Sequence, residues 1–477
     1  MAALDELVPL YAVYPLLFAA HGLSVGQISV LYLLWSLTGF VLEVPSGALA
    51  DRVSRRRLLA VAGLLRAAGF GVWVFAPSYP AFALGFVLWG VGGAFTSGTR
   101  EALIYDELAA AGAAERYPAV IGRTEVLGTL GVVVSTVLAL PAMALGGYRL
   151  TGALSVATSV GTALLALGLP ERPRVEQADE AGGVAGYLRT LRVGVVEARS
   201  DRRLRRLVLL AALLPGLTAL DEYMSLLAGG TGVRPGLVPV LMLAPYAGLV
   251  VGAELAGRRS GIRPGRLAAL TAGGAVLLAG GALSGHPVGF LGVGGWYLAT
   301  WYGSVVSGAR LQVEMTGAAR ATVTSVSALI EETCALLTFA AFGLAGAHAD
   351  LPILIAAGAV PTLLIAAVLP RWLPPARRTH VPVADPPEPP PPTPGPPPTP
   401  GPPATPGPPP TPGPPPAPGP PPTPGPPPPR APVGPPAKTP GPPVAPGPAG
   451  PSVKTPEPPA ATHRTRHRWR SRYRRAA

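Results

Sequence analysis

The chain of 477 residues holds a single cysteine, Cys334, so no intrachain disulfide can staple it. Lysine is almost missing: Lys438 and Lys454 are the only two, and arginine carries nearly all the basic charge behind a formal net charge of +13. Charged residues make up only 13% of the chain against 49% hydrophobic ones. The sequence has no phosphate-cradling glycine loop of the ATP-binding kind. It has no His/Cys/acid cluster at metal-ligand spacing and no nucleophile beside a base. No cofactor or metal is expected, and covalent catalysis finds no foothold; the expectation is not an enzyme. No basic region precedes the first apolar run, which carries Asp5 and Glu6 instead, so no cleavable signal peptide is visible.

What the chain has is grease in measured lengths. Residues 1–370 read as a succession of apolar runs of about 20 residues, the length that spans roughly 30 Å of hydrocarbon as helix. A soluble core does not need so many, and backbone in lipid must close its own hydrogen bonds. Twelve spans are expected, near 2–20, 28–49, 58–76, 80–100, 119–140, 149–168, 207–228, 236–256, 266–284, 288–309, 322–346 and 351–370. The class is an all-α polytopic membrane protein.

The arginines fall in alternate loops. Arg52, Arg55, Arg56 and Arg57 follow the second span, Arg100, Arg116 and Arg123 the fourth, and Arg258, Arg259, Arg263 and Arg266 the eighth. The longest connection, 169–206, holds nine more, whereas the opposite set of loops holds only Arg149 and Arg234. This is a topology signal rather than a polyanion-binding face, and no nucleic acid is expected. It predicts that both termini and the 169–206 loop are cytoplasmic. Arginine over lysine, with abundant Ala, Gly and Pro, suggests a bacterial plasma membrane.

One register also repeats. At an offset of 210, "GLSVGQISVL" (22–31) aligns with "GVRPGLVPVL" (232–241), and "SGTR" (97–100) with "SGAR" (307–310). Two parallel six-helix bundles, 1–168 and 207–370, are expected around the central loop, an arrangement in which a solute path lies between the halves. The remaining segment, 371–477, is different. Forty-three of the 63 prolines fall between 381 and 460, without glycine at every third residue, which excludes a collagen helix. An extended, disordered spacer is expected, ending in "THRTRHRWRSRYRR". That basic end reads either as a tether to anionic lipid or as a solvated tail.

The stretch "SGALADRVSRRRLL" (46–59) resembles the loop 2–3 signature of the major facilitator superfamily, G-x-x-x-D-[RK]-x-G-[RK]-[RK]. Gly47, Asp51, Arg52, Arg55 and Arg56 fill matching places, and Ser54 stands where the family prefers glycine. The resemblance implies a transporter working by alternating access. It also implies that Gly47 lets the second helix approach the eleventh and that Asp51 joins a charge network closing the inward gate. Arg55, one turn on, is a natural partner for Asp51. The end of the fourth span, "SGTREALIYDEL", resembles a bacterial, exporter-like branch; Arg100, Glu101 and Asp106 would join this gate with Arg123 and Glu125. Two departures stand out. Phe86 occupies the place of the fourth-helix arginine of many drug exporters, and the fifth span lacks the proline of the antiporter signature, keeping glycines such as Gly128 and Gly131.

Ionisable groups inside spans are costly and are candidates for function by default. Asp221 and Glu222 in the seventh span come first as proton carriers, then Glu43, with Glu125, Glu331 and Glu332 as further candidates; of the last two, one must point away from a central pore. Tyr11, Tyr14, Tyr223 and Trp301 are candidate cavity residues, because an aromatic ring with a polar tip suits a planar or amphipathic solute. Aromatics near span ends equally serve as interface anchors. The expected function is secondary transport of a small organic solute, proton-coupled and outward. Uptake of a polar metabolite and a non-transporting membrane sensor or scaffold are the alternatives.

Overall fold

Serine and proline punctuate the apolar runs, and helices start where they stand. Ser24 accepts from the Gln27 amide (3.2 Å) while the Gln27 side chain accepts from the Ser24 amide (3.0 Å), a reciprocal cap. Ser54 and Ser78 cap the next two helices in the simpler way. The computed structural model describes residues 1–171, 192, 201–315 and 320–375, apart from the side chains at 48, 51 and 320–322. The proline-rich tail and most of the 169–206 loop therefore lie outside the described residues, as does the side chain of Asp51.

The order is α1 (Ala2–Asp5), a 3-10 turn (Pro9–Ala12), α2 (Tyr14–Ala20), α3 (Val25–Arg52), α4 (Arg55–Phe75), α5 (Tyr79–Thr96), α6 (Thr99–Ala110) and α7 (Tyr117–Leu167). There follow α8 (Arg202–Gly216), a 3-10 segment (Leu217–Tyr223), α9 (Met224–Gly230), α10 (Val238–Arg258), α11 (Pro264–Leu283), α12 (Gly289–Glu314), α13 (Arg320–Ala345), α14 (Leu351–Ala357) and α15 (Ala359–Trp372). No strand occurs among the described residues. Nine helices among them are long and apolar enough to cross a membrane. One of these, α7, is 51 residues long, about 77 Å and too long for one crossing. It turns back at Gly147, whose φ of 57° and ψ of −150° suit glycine alone, and so supplies two spans. The 26-residue α12 has the length of a span, but Trp, Tyr, Gly and Ser dilute its hydropathy. With the broken first segment, the chain is an all-α protein of twelve spans.

That first segment departs from the expected single helix over 2–20. It is three short pieces, and the seventh breaks in the same manner around Leu217–Tyr223. The freed backbone finds partners: the Leu10 amide donates to Ser155 Oγ (3.0 Å), and Ser135 Oγ donates to the Val8 carbonyl (3.2 Å). At the offset of 210, α2 (Tyr14–Ala20) falls on α9 (Met224–Gly230) residue for residue. Gly22 and Gly232, paired by the same offset, hold φ at 85° and 84°.

The two sets of spans meet through α2 on α9, α3 on α13 and α7 on α10. These contacts are tight at the end of the 1–2, 7–8 and 11–12 connections. A Cβ on Gly26 would lie 3.1 Å from the Gly343 carbonyl oxygen, and one on Gly346 would lie 3.0 Å from the Gly26 amide nitrogen. The arginine-rich end is looser. Gly47 is exposed with nothing within 4 Å of a Cβ, and Glu43, Glu125 and Glu331 are exposed. Among the described residues, the halves pack more closely at the first end than at the arginine-rich end.

Candidate functional site

The break in the seventh span puts two adjacent carboxylates at the seam between the halves. Successive side chains on this tighter 3-10 segment lie about 120° apart, and Asp221 and Glu222 meet different partners. Tyr297, on α12, donates to Asp221 at 2.8 Å. Tyr14, at the start of α2, donates across the seam to the Glu222 carboxylate. Tyr32, on α3, donates to the Glu222 carbonyl at 3.0 Å, and Tyr223 donates to Ser29 Oγ at 2.8 Å. Three tyrosine hydrogen bonds thus join the first and second spans to the seventh.

Aromatic rings form a wall beside this group. Tyr11 stacks on Trp89 (centroids 5.2 Å apart, planes at 15°), and Trp89 stacks on Trp35 (4.7 Å, 27°). All three are half-buried, whereas Tyr14, stacked on Trp73, is buried, as is Tyr223. Trp301 is half-buried with its indole N–H unpartnered among the described residues.

The other expected residues divide. Glu43 is exposed and accepts from Ser97 Oγ at 2.9 Å. Glu332 accepts from Ser36 across the seam between α3 and α13, while Glu331 is exposed; of this pair one is committed to the seam and the other is not. At the arginine-rich end, Arg55 pairs with Asp106 on α6, and Arg56 with Glu171 (3.7 Å), which also accepts from Ser54 and from the Arg55 amide (2.6 Å). Arg100 reaches both Glu101 (3.2 Å) and Glu125 (3.4 Å). Arg123, expected in the same network, is exposed and makes no ion pair among the described residues, and Arg52 is likewise exposed.

Sequence reasoning missed one buried pair. Arg66, in the middle of α4, pairs with Asp5 of α1, with only 8% and 5% of these residues exposed. The criterion that singled out the acids, an ionisable group inside an apolar run, would have found Arg66. It also covers Asp5, inside the first run; that the two meet needed the fold, in which α1 packs on α7. Trp35, Trp89 and Tyr32 were also passed over, since nothing in a local window tells a wall ring from a core ring.

The sequence model of the Major Facilitator Superfamily matches residues 1–347. A sequence search of curated proteins finds no match. Among solved structures, the nucleoside transporter NupG superposes with a TM-score of 0.59 at 15% identity, over 77% of this chain and 94% of its own. A bacterial homologue of the human lysosomal transporter Spinster, in an inward-facing, unoccupied conformation, gives 0.59 at 15%, over 78% and 94%. A D-xylose–proton symporter gives 0.57 at 15%, over 78% and 97%. At these identities the likeness is one of fold. With the match to the family over most of its length, the chain belongs to the major facilitator superfamily of membrane transporters.

Proposed function

We propose that the protein moves a small organic solute across the bacterial plasma membrane by alternating access, driven by protons and directed outward. The observation that carries this reading is the position of Glu222. Its carboxylate sits on the 3-10 segment of the seventh span and takes a hydrogen bond from Tyr14 on the opposing half. A carboxylate so placed holds the halves together as an acceptor when ionised. Protonated, it loses part of that acceptor strength, which loosens the seam. Proton uptake and opening are then coupled at one atom group. Asp221, held by Tyr297, tunes its neighbour by like-charge repulsion.

The half-buried stack of Tyr11, Trp89 and Trp35 suits a flat solute, which binds there by ring-on-ring contact. The looser arginine-rich end is the inward mouth in this reading, by the positive-inside rule. Closing it brings Gly47 and the helix end bearing Asp51 against the eleventh span. The charge group of Arg55, Asp106, Arg100, Glu101 and Glu125 re-pairs as it closes. The outward direction rests on the exporter-like "SGTREALIYDEL" stretch. A thermal-shift screen of solutes identifies the ligand, and flux in proteoliposomes with an imposed pH gradient tests the coupling. Glu222→Gln together with Asp221→Asn is expected to abolish pH-driven accumulation while solute binding persists. Unchanged accumulation in that double variant overturns the assignment.

A further inference from the structure

At the arginine-rich end, certain arginines that correspond between the repeats have different partners. In the first repeat Arg55, Arg56 and Arg100 are each paired with carboxylates. At the offset of 210, Arg56 falls on Arg266 and Arg100 on Arg310. Arg259, Arg263 and Arg266 are exposed and have no ion-pair partner among the described residues. The nearby acid, Glu254, is taken by Arg258 at 2.8 Å. Arg310, with 8% of its surface exposed, has no carboxylate either. It donates to the carbonyls of Ile262 (2.7 Å), Ser260 (3.4 Å) and Pro374, pinning the connection between α10 and α11.

The pinned connection borders a cavity of about 490 Å³ lined by Leu255, Ile262, Leu270, Leu298, Arg259 and Arg266, with Tyr302 at its wall. The Tyr302 hydroxyl donates to the Arg259 carbonyl at 2.7 Å, so the guanidinium-bearing residue is fixed at its backbone. The N-terminus of the 20-residue α11 lies beside it and adds its partial positive charge. Leucines below and arginines above, at the level where the spans end, match one kind of molecule.

We propose that this cavity binds an anionic phospholipid of the adjoining leaflet. The phosphate group lies between Arg259 and Arg266, and one acyl chain lies along Leu255, Leu270 and Leu298. Charge complementarity favours it: Arg259, Arg263 and Arg266 have no ion-pair partner among the described residues, and a basic pocket between spans at the membrane boundary attracts anionic headgroups. The apolar lining separates a lipid from a free phosphate, because inorganic phosphate leaves the leucines uncovered.

The test uses the full-length protein, purified in detergent and exposed to mixed micelles of phosphatidylglycerol or phosphatidylethanolamine. Bound lipid is counted by native mass spectrometry after delipidation. The expected result is phosphatidylglycerol retained at least tenfold over phosphatidylethanolamine. Retention is lost in Arg259→Gln/Arg266→Gln and in Leu270→Trp, which fills the groove without changing charge. Because the basic tail is intact in every variant, whatever lipid it binds is common to all of them. Gel filtration checks folding. If the double variant does not fold, phosphatidylglycerol retention by the wild type must fall as salt is raised. Equal retention of both lipids, or retention unchanged in the variants, overturns the proposal. So does a melting shift with inorganic phosphate alone that matches the shift with phosphatidylglycerol.

Discussion

Arg66 and Asp5 form a buried ion pair between α4 and α1 in the first half. Both are buried, and removing one leaves the other charged in an apolar interior. Arg66→Met is expected to cost about 3–5 kcal/mol, read as a large drop in melting temperature in detergent. Asp5→Asn/Arg66→Gln, which removes both charges, is expected to recover most of that loss. A double variant no more stable than the single one would mean the pair does not act as a unit. At the seam, Tyr14→Phe removes one donor to Glu222 and keeps the ring on Trp73. It is expected to weaken proton coupling, measured as the steepness of flux against imposed pH gradient, with little change in melting. At this scale the sequence marked Asp221 and Glu222 by their cost inside a span. It could not choose their partners, because Tyr14, Tyr32 and Tyr297 lie 76 to 208 residues or so away along the chain.

The elements owe their shape to a few backbone positions. Gly22 and Gly232 end the broken first and seventh spans in the left-handed region. Alanine at either is expected to cost about 1–2 kcal/mol, the strain of an L side chain there. The two should cost similar amounts, since their φ values nearly coincide; melting of Gly22→Ala and Gly232→Ala checks both statements. Between α10 and α12 the contact is different in kind. Gly248 and Gly252 lie directly on the backbone carbonyls of Gly294 and Leu298, so a side chain has no room. Gly252→Leu is expected to force these helices apart and lower the melting temperature more than either alanine variant. The spans were legible in the sequence as apolar runs, whereas the caps at Ser24, Ser54 and Ser78 came with the structure. The breaks were not, because the apolar run through 2–20 looks continuous until Ser135 and Ser155 satisfy its opened backbone.

For the whole molecule, the proposed alternating access requires a second arrangement in which the halves meet at the arginine-rich end instead. Cross-linking of cysteines placed at Gly26 and Gly343 is expected in the present arrangement, whereas cysteines at Gly47 and the facing end of α13 should cross-link only after closure. The same pair patterns measured with and without solute report the shift between states. Deleting 380–477 is expected to leave flux unchanged, since the spans that carry the candidate site all precede it; loss of flux would favour the scaffold reading.

The sequence by itself determined the class, the count of spans and the register of the repeat. These depend on local quantities: the length of apolar runs, the alternation of arginine between loops, and glycines at a constant offset. It also singled out Asp221 and Glu222, because a carboxylate in hydrocarbon is conspicuous wherever it stands. The tertiary structure decided the rest. It paired Arg55 with Asp106 and Arg56 with Glu171, joined Arg66 to Asp5, stacked Trp35 on Trp89 and left Arg259 and Arg266 over a groove. Each of these depends on which helix faces which. That choice is made by close packing across the whole bundle, and no local window of sequence contains it.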